Sequence, residues 1–544
     1  MPNPDFKISG NIVDLFGRRT FPGIFTVENG TITAIQEIAE ADPQFILPGL
    51  IDAHIHIESS MLVPTEFARL ALCHGTLAAV CDPHEIANVL GIPGIEYMLE
   101  NASRTPFKFY FGAPSCVPAT PFETAGARID LADIKDLFVK HKLKFLSEMM
   151  NVPGVLNNIP EVAAKLKLTR DLGLPIDGHS PGLWGPDAEK YIAAGISTDH
   201  ECVTLAEARE KIAQGMKIQI REGSAARNFN ELQPLIDEYP DRCMLCSDDK
   251  HPDDLVRGHI NLLIRRGIAA GLDIYNLLRA ASVVPVEHYK LDVGLLQEGD
   301  PADFIIVDGL TSFNVKAAYL AGRKVAEKGQ SLLFSKPVEV INNINCWPKS
   351  TADFAVEPAE GLLKTIDIIP SQLVTKSGLV EPSISNGNVV ADESRDILKM
   401  TVINRYTDAP PATAFVHGMG IKSGALASSV AHDSHNIVAV GTTDELLGRA
   451  VNLIIENQGG IAAVTEDDNL VLPLPVAGIM SAGDGQETAR LYEQLDRKAK
   501  QMGSNLPAPF MSLSFLALLV IPELKLSDQG LFDGINFKFT SLFG

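Results

Sequence analysis

FILPGLIDAHIHIESS, residues 45–60, decides how the rest of the chain is read. An apolar, strand-like run ends in two histidines two positions apart. Residues so spaced in a strand share a face, so the His54 and His56 rings can reach one ion. In parallel α/β proteins chemistry gathers where strands end, and this pair sits at such an end. Alone the pair is a weak signal, because a histidine pair in an arbitrary sequence is more often a surface or core feature than a ligand set.

Downstream the pattern repeats. TLAAVCD, FKFYFGA and KFLSEMM are apolar runs, each followed by a stretch of helical periodicity, and the alternation continues to about Leu296. About eight β-then-α units over some 250 residues predict a parallel sheet closed into a (β/α)8 TIM-like barrel. Upstream, Ile8 to Ile35 alternates short β-prone runs with turns. After the barrel, GLLQEGDPADFIIVDG and VKAAYLAGRKVAEKG return to short strands with glycine turns. The α/β chain is therefore expected to carry a small β-sandwich built from both sides of the barrel segment, residues 1–44 and 297–346, around a barrel at 45–296. Residues 347–544 mix strands such as HNIVAVG with helices such as TDELLGRAVNLIIENQ, which predicts a C-terminal α/β or α+β domain. A chain of 544 residues exceeds what one core supports, in keeping with this division.

Further potential ligands follow later candidate strands. Glu148 follows KFLS, His179 follows LPIDG, His200 follows GISTD and Asp248 follows RCMLCS. Each has a bland explanation by itself, since a buried glutamate can pair with arginine and a strand-end aspartate often caps the next helix. As a set they point to a metal centre at one end of the barrel. Asp82 and His84, in CDPHE, end the next strand, although Asp82 reads equally as a cap before Pro83 at a first helical turn. Glu58 and Ser59 follow the histidine pair closely enough to line a pocket. Arg221 and Glu222, in REGSAARN, fall near a strand end. Asp249 points away from Asp248 in a regular strand and is read as a supporting residue. The tract AHDSHN, with His432 and His435, looks like a turn into a strand more than a second metal site.

Composition narrows the partners. Hydrophobic residues make up 46% and charged residues 21%, as in an ordinary folded enzyme. Lysine plus arginine total 46 against 68 acidic residues, a net charge of -22, which repels nucleic acid and anionic membrane. A phosphate substrate would call for basic residues that this acidic chain does not obviously cluster. Seven scattered cysteines fit reduced thiols rather than a disulfide framework, and Cys243 and Cys246 read as buried strand residues. MPNPDFKISG does not read as a secretory signal, so a cytoplasmic location is expected. The apolar stretch Leu513 to Ile521 falls short of the roughly 20 residues that span a bilayer and is read as buried core.

PGLIDAHIHIESS, followed by a glutamate, two separated histidines and a late aspartate, resembles the amidohydrolase superfamily. Within it, HIHIESSMLVP, AVCDPHEIANVLG, SEMMNVPGV, GHSPG, TDHE, REGSAARN and MLCSDD resemble the adenine deaminase family. HGMGIKSGALASSVAHDSHNIVAVG and FLALLVIPELKLSDQGLFD resemble that family's added C-terminal domain, so the likeness spans nearly the whole chain. The resemblance implies His54, His56, Glu148, His179, His200 and Asp248 as metal residues, with Glu148 where many relatives in the superfamily use a carboxylated lysine. It implies two divalent ions, Mn2+ preferred and Fe2+ or Zn2+ compatible with the same nitrogen and oxygen donors. The implied reaction is purine-salvage hydrolysis of adenine to hypoxanthine and ammonia by a metal-activated hydroxide at C6. Asp248 would serve as the base, and Glu148 or another acid nearby would protonate the ring. Asp82, His84, Glu58, Ser59, Arg221, Glu222 and Asp249 would touch the purine or support those that do. Adenine and water are the expected partners, in a homodimer or higher homo-oligomer. Rival readings are a cyclic amidase or amino-sugar deacetylase on the same scaffold, or an inactive metal-binding barrel.

Overall fold

Leu50–Ile55 is buried along its whole length, as expected of a strand covered on both faces. In the computed structural model, which describes residues 5–224, 226–370 and 372–544, this strand begins a parallel succession. Ala225 of REGSAARN and the first four residues of MPNPDFKISG lie outside the described residues. Leu50–Ile55 pairs with Thr76–Cys81, which pairs with Lys108–Phe111. A bridge from Ala113 to Leu146 carries the pairing to Leu146–Met149 and thence to Ile176–Gly178. The Ser197 N–H donates to the Ile176 carbonyl at 2.9 Å, next to Thr198–Asp199. Thr198–Asp199, Lys217–Arg221 and Cys243–Cys246 complete the run. The last strand returns to the first: Ile55 bridges in parallel to Asp248, whose N–H donates to the His54 carbonyl at 2.9 Å. The result is TIM-barrel-like, with helices following most strands. Small residues let the strands close up. A Cβ on Gly178 would stand 2.3 Å from the Thr198 carbonyl oxygen, so no larger residue fits there without moving the neighbouring strand.

The run FILPGLIDA, continuous in sequence, is divided at Gly49. Phe45–Pro48 leaves the barrel and joins an eight-stranded outer sheet with Phe6–Asp14, Arg19–Glu28, Thr31–Glu37, Phe304–Val307, Val315–Leu320, Arg323–Glu327 and Gln330–Ser331. Phe45–Pro48 pairs in parallel with Phe6–Asp14 and antiparallel with Phe304–Val307, so it joins the strands before the barrel to those after it. Arg19–Glu28 alternates as a half-buried strand should, turning Phe21, Phe25 and Val27 onto Ile12, Ile46 and Phe304. The Phe25 and Phe304 rings meet edge to face at 4.9 Å.

The C-terminal region is built on a second eight-stranded sheet, mostly antiparallel. Asp444–Glu456 lies on it, capped by the Thr443 hydroxyl, which accepts from the Leu446 N–H, and buries Leu447, Val451 and Ile454. Gly485–Gln501 ties this region to the barrel: its cap Asp484 accepts from Arg69 Nη1 at 2.7 Å, and the Gly485 N–H donates to Glu66 at 3.0 Å. Among the described residues no helix is long and apolar enough to cross a membrane.

Candidate functional site

His54 and His56 stand at the carboxyl end of the first barrel strand. Glu148 lies in the fourth, His179 and His200 follow the fifth and sixth, Arg221 ends the seventh and Asp248 follows the eighth. All six residues expected to bind metal meet at this one end. Glu148 is the hub. Its Oε1 lies 3.7 Å from His56 Nε2 and 3.5 Å from His84 Nδ1, and its Oε2 lies 3.8 Å from His54 Nε2, 3.2 Å from His179 Nδ1 and 3.1 Å from His200 Nε2. Asp248 Oδ1 closes the other side, 3.7 Å from His54 Nε2 and 3.3 Å from His56 Nε2. His54, Glu148 and Asp248 are each no more than 5% exposed.

Local backbone explains two of these placements. His56 Nδ1 lies 3.2 Å from the Asp82 carbonyl oxygen, and donation there leaves Nε2 as a lone-pair donor toward the cluster. Asp248 sits in the left-handed region at φ 57°, which breaks the strand's alternation. The regular geometry that would turn Asp249 away is therefore absent. Asp249 lines the same cavity and accepts from the Ser59 hydroxyl at 2.5 Å.

The electrostatics keep both acids ionised, through different neighbours. Burial works to raise the Glu148 carboxyl, but His179 and His200 outweigh it and hold the group well below the usual carboxylate range. For Asp248 burial is again opposed, here by Arg221 and His56, with the same result. The His54 imidazole is pushed down by burial and by the neighbouring His200 ring, so it stays neutral. Its Nε2 is buried without a hydrogen-bond partner. An unpaired buried nitrogen facing two carboxylates is costly unless a cation completes it. Imidazole nitrogens and carboxylate oxygens are also the donor set of a hard or borderline divalent ion. The residues therefore fit a divalent metal. Ligand-capable atoms draw together as His54, His56 and Asp248, as His54, Glu148 and His200, and as His179, His200 and Glu201.

The other expected residues divide. Asp82 accepts from the His84 N–H at 3.1 Å and lies 3.0 Å from His84 Nδ1, so it caps the turn and orients His84 toward Glu148 at once. Glu58 accepts from the Ile86 N–H at 3.2 Å. Burial, with Glu85 beside it, pushes the Glu58 carboxyl up to about 7. Arg221 pairs with Asp248 and, at 2.5 and 2.9 Å, with Glu201. Glu58 and Ser59, expected to line the pocket, are not among the residues lining the cavity, and neither is Asp82; Glu222 belongs to another cleft altogether. Its carboxylate lies 2.5 Å from Arg266 in a different cleft and is not among the residues lining this cavity, because consecutive residues at a strand end face opposite ways.

Several residues escaped the sequence reading. Glu85 and Glu201 stand beside His84 and His200 in CDPHE and TDHE, and adjacency was the signal available. AHDSHN reaches the barrel mouth: His432 Nδ1 lies 2.6 Å from Glu85 Oε1, and His435 pairs with the other oxygen of Glu85. Asp433 lines the cavity too, its carboxyl raised to about 6 by burial. Phe515, Leu518, Val520 and Ile521, from the stretch read as buried core, give the cavity an apolar wall.

Comparison with known proteins accords with this geometry. The amidohydrolase family model matches residues 45–326, and the adenine deaminase C-terminal domain matches 372–538. The chain is 54% identical to an adenine deaminase of Methanosarcina mazei, with 99% of each chain covered. It is 52% identical to one of Salinibacter ruber, again over 99% of both, and 44% identical to one of Borreliella afzelii over 98% of this chain and 99% of that protein.

Proposed function

Because the chain belongs to the adenine deaminase family of amidohydrolases, we propose that it hydrolyses adenine to hypoxanthine and ammonia at the cluster around Glu148. The observation that supports this best is the convergence of four imidazoles on Glu148 and Asp248 beneath an apolar wall. His54, His56 and Asp248 would hold one divalent ion, His179 and His200 a second, with Glu148 shared between them. Mn2+ is the preferred reading, with Fe2+ or Zn2+ suited to the same donors. A divalent ion held by these residues would supply a nucleophile at neutral pH, by lowering the pKa of water from roughly 15.7 toward about 7.

The chain's own groups do the rest. Asp248, kept ionised by Arg221 and His56, takes the proton of the attacking water and passes it to the departing ammonia. Arg221, braced by Glu201, fixes the Asp248 carboxylate in place. Asp82 orients His84, and Ser59 orients Asp249, beside the substrate. An acid beside Glu148 protonates the ring so that charge does not build on the purine, since Glu148 itself is held ionised by His179 and His200. Phe515, Leu518, Val520 and Ile521 face the flat base and keep bulk water out.

Around this site the reading is of a closed (β/α)8 barrel at 45–296, less Phe45–Pro48, which belong to the outer sheet, a β-sandwich from 1–44 and 297–346, and a C-terminal domain at 347–544 that supplies the wall. The enzyme is read as a cytoplasmic homodimer or higher homo-oligomer. Ammonia release from adenine, set beside hydrolysis of N-acetylated amino sugars and dihydropyrimidines, tests the assignment. Turnover of adenine is expected, whereas turnover of either rival class with adenine untouched would overturn it.

A further inference from the structure

A second cleft, of about 430 Å³, opens between the segment that follows the eighth strand and the helix Ile260–Ala269. It shares no lining residue with the cavity around Glu148. In a chain of net charge -22 its lining is unusual: Arg227, Lys250, Arg257, Arg265 and Arg266 face only Glu222 and Asp254. Four of these cations lie within residues 250–266, among Asp253, Asp254 and apolar residues, and the fold adds Arg227 from the preceding strand end.

Some of that charge is already answered. Arg266 lies 2.5 Å from Glu222, Arg227 lies 3.9 Å from Glu222 and 3.6 Å from Asp254, and Arg257 reaches Asp253 and Asp254 at 3.0 Å and Glu493 at 3.5 Å. Two cations make no direct pair, although Asp254 and Glu222 stand close enough to Lys250 to offset part of the burial that pulls it below its ordinary value. Lys250 is only 6% exposed, and among the described residues no hydrogen bond or ion pair holds its ammonium group. Arg265, at the rim, has none either. A buried ammonium is costly unless an anion completes it. Ile260, Leu262 and Leu263 add an apolar floor, and the volume falls in the range of about 300–1,000 Å³ found for small-molecule sites.

We propose that this cleft is a binding site for a phosphate-bearing small molecule, with Lys250 and Arg265 as its anchors. Adenine carries no anionic group, so the site is distinct from substrate binding. Phosphate suits a fork of guanidinium groups around a point ammonium, which together match its several oxygens. Lys250 stands two residues beyond Asp248, and Glu222 directly follows Arg221, so a ligand there would touch the far side of the segments that carry the reaction.

The test is isothermal titration of the full-length, metal-loaded enzyme with inorganic phosphate and with adenosine 5′-monophosphate, against sodium chloride of matched ionic strength. Saturable binding beyond the chloride background is expected. Affinity should fall about tenfold or more in Lys250→Met and in Arg265→Glu, since each removes a charge-assisted hydrogen bond. Arg265 is exposed, so Arg265→Glu should fold and turn over adenine as the wild type does, which keeps the test decisive if Lys250→Met is unstable. Tighter binding of the nucleotide would assign an organic phosphate that uses the apolar floor, and equal affinities would assign free phosphate. No binding above chloride, or equal binding by Arg265→Glu and the wild type, would overturn the proposal.

Discussion

Asp248 is held ionised from two sides, by Arg221 and by His56, and that is what suits it to act as a base rather than an acid. Asp248→Asn keeps the shape and removes the proton acceptor. Turnover of adenine should fall by more than about tenfold, the lower reach of general-base catalysis being about a hundredfold. Metal analysis alongside the assay separates loss of the base from loss of the ion, and turnover within tenfold of wild type at full metal content would refute the role. Glu148→Gln, in contrast, should lower metal content itself, because five imidazoles lie within 3.8 Å of that one carboxylate. At this scale much was legible. Each residue proposed to bind metal stood just after or within an apolar run, and strand periodicity assigned it to one end of the barrel. Glu201 and Glu85 were not separable from their histidine neighbours, because sequence shows adjacency and not which way a side chain turns. The sequence also had no means of showing that Asp248 adopts a left-handed conformation, which is why Asp249 was expected to face away.

The strand Leu524–Ser527 carries Lys525 into the interior, where among the described residues no carboxylate pairs with it; its ammonium donates to the Leu373 and Phe515 carbonyls, both at 2.8 Å. Burial lowers this lysine to about 7. Between pH 7 and its ordinary value near 10.5 the unfolded chain holds the proton and the folded chain does not, so stability from this group rises with pH across that window. Below about pH 7 the penalty for the buried charge is fully present. Lys525→Met removes it, so the variant's stability relative to wild type should be most favourable below pH 7 and should decline as pH rises toward 10.5. Urea denaturation at several pH values reads this directly, and a pH-independent difference would show that Lys525 does not titrate in the fold. Elements were legible where periodicity was strong, as in the alternation of Arg19–Glu28. FILPGLIDA was not, because an unbroken apolar run is equally compatible with one strand or with two strands serving different sheets on either side of Gly49.

Across the whole molecule the C-terminal region completes the site instead of standing beside it. His432 and His435 grip Glu85 from above, and the segment from Phe515 to Ile521 roofs the cavity. Glu85→Gln weakens that grip without adding bulk, so KM for adenine should rise several-fold with a smaller change in kcat, as steady-state kinetics would show. Equal kinetics in the variant would mean that the roof is held by packing alone. None of this was visible in AHDSHN as a string, since its partner lies more than 340 positions away and local pattern carries no information about such contacts. The larger organisation, a β/α core with β segments on both sides and a further C-terminal region, was legible because each part has its own periodicity. The most direct trial of the whole account is to strip the protein of metal with a chelator, add Mn2+ back in measured equivalents, and follow ammonia release from adenine. The account predicts that activity disappears on stripping and returns in proportion to added metal, levelling off at two equivalents per chain. Undiminished deamination by the stripped protein, or full metal uptake with no ammonia released, would contradict it.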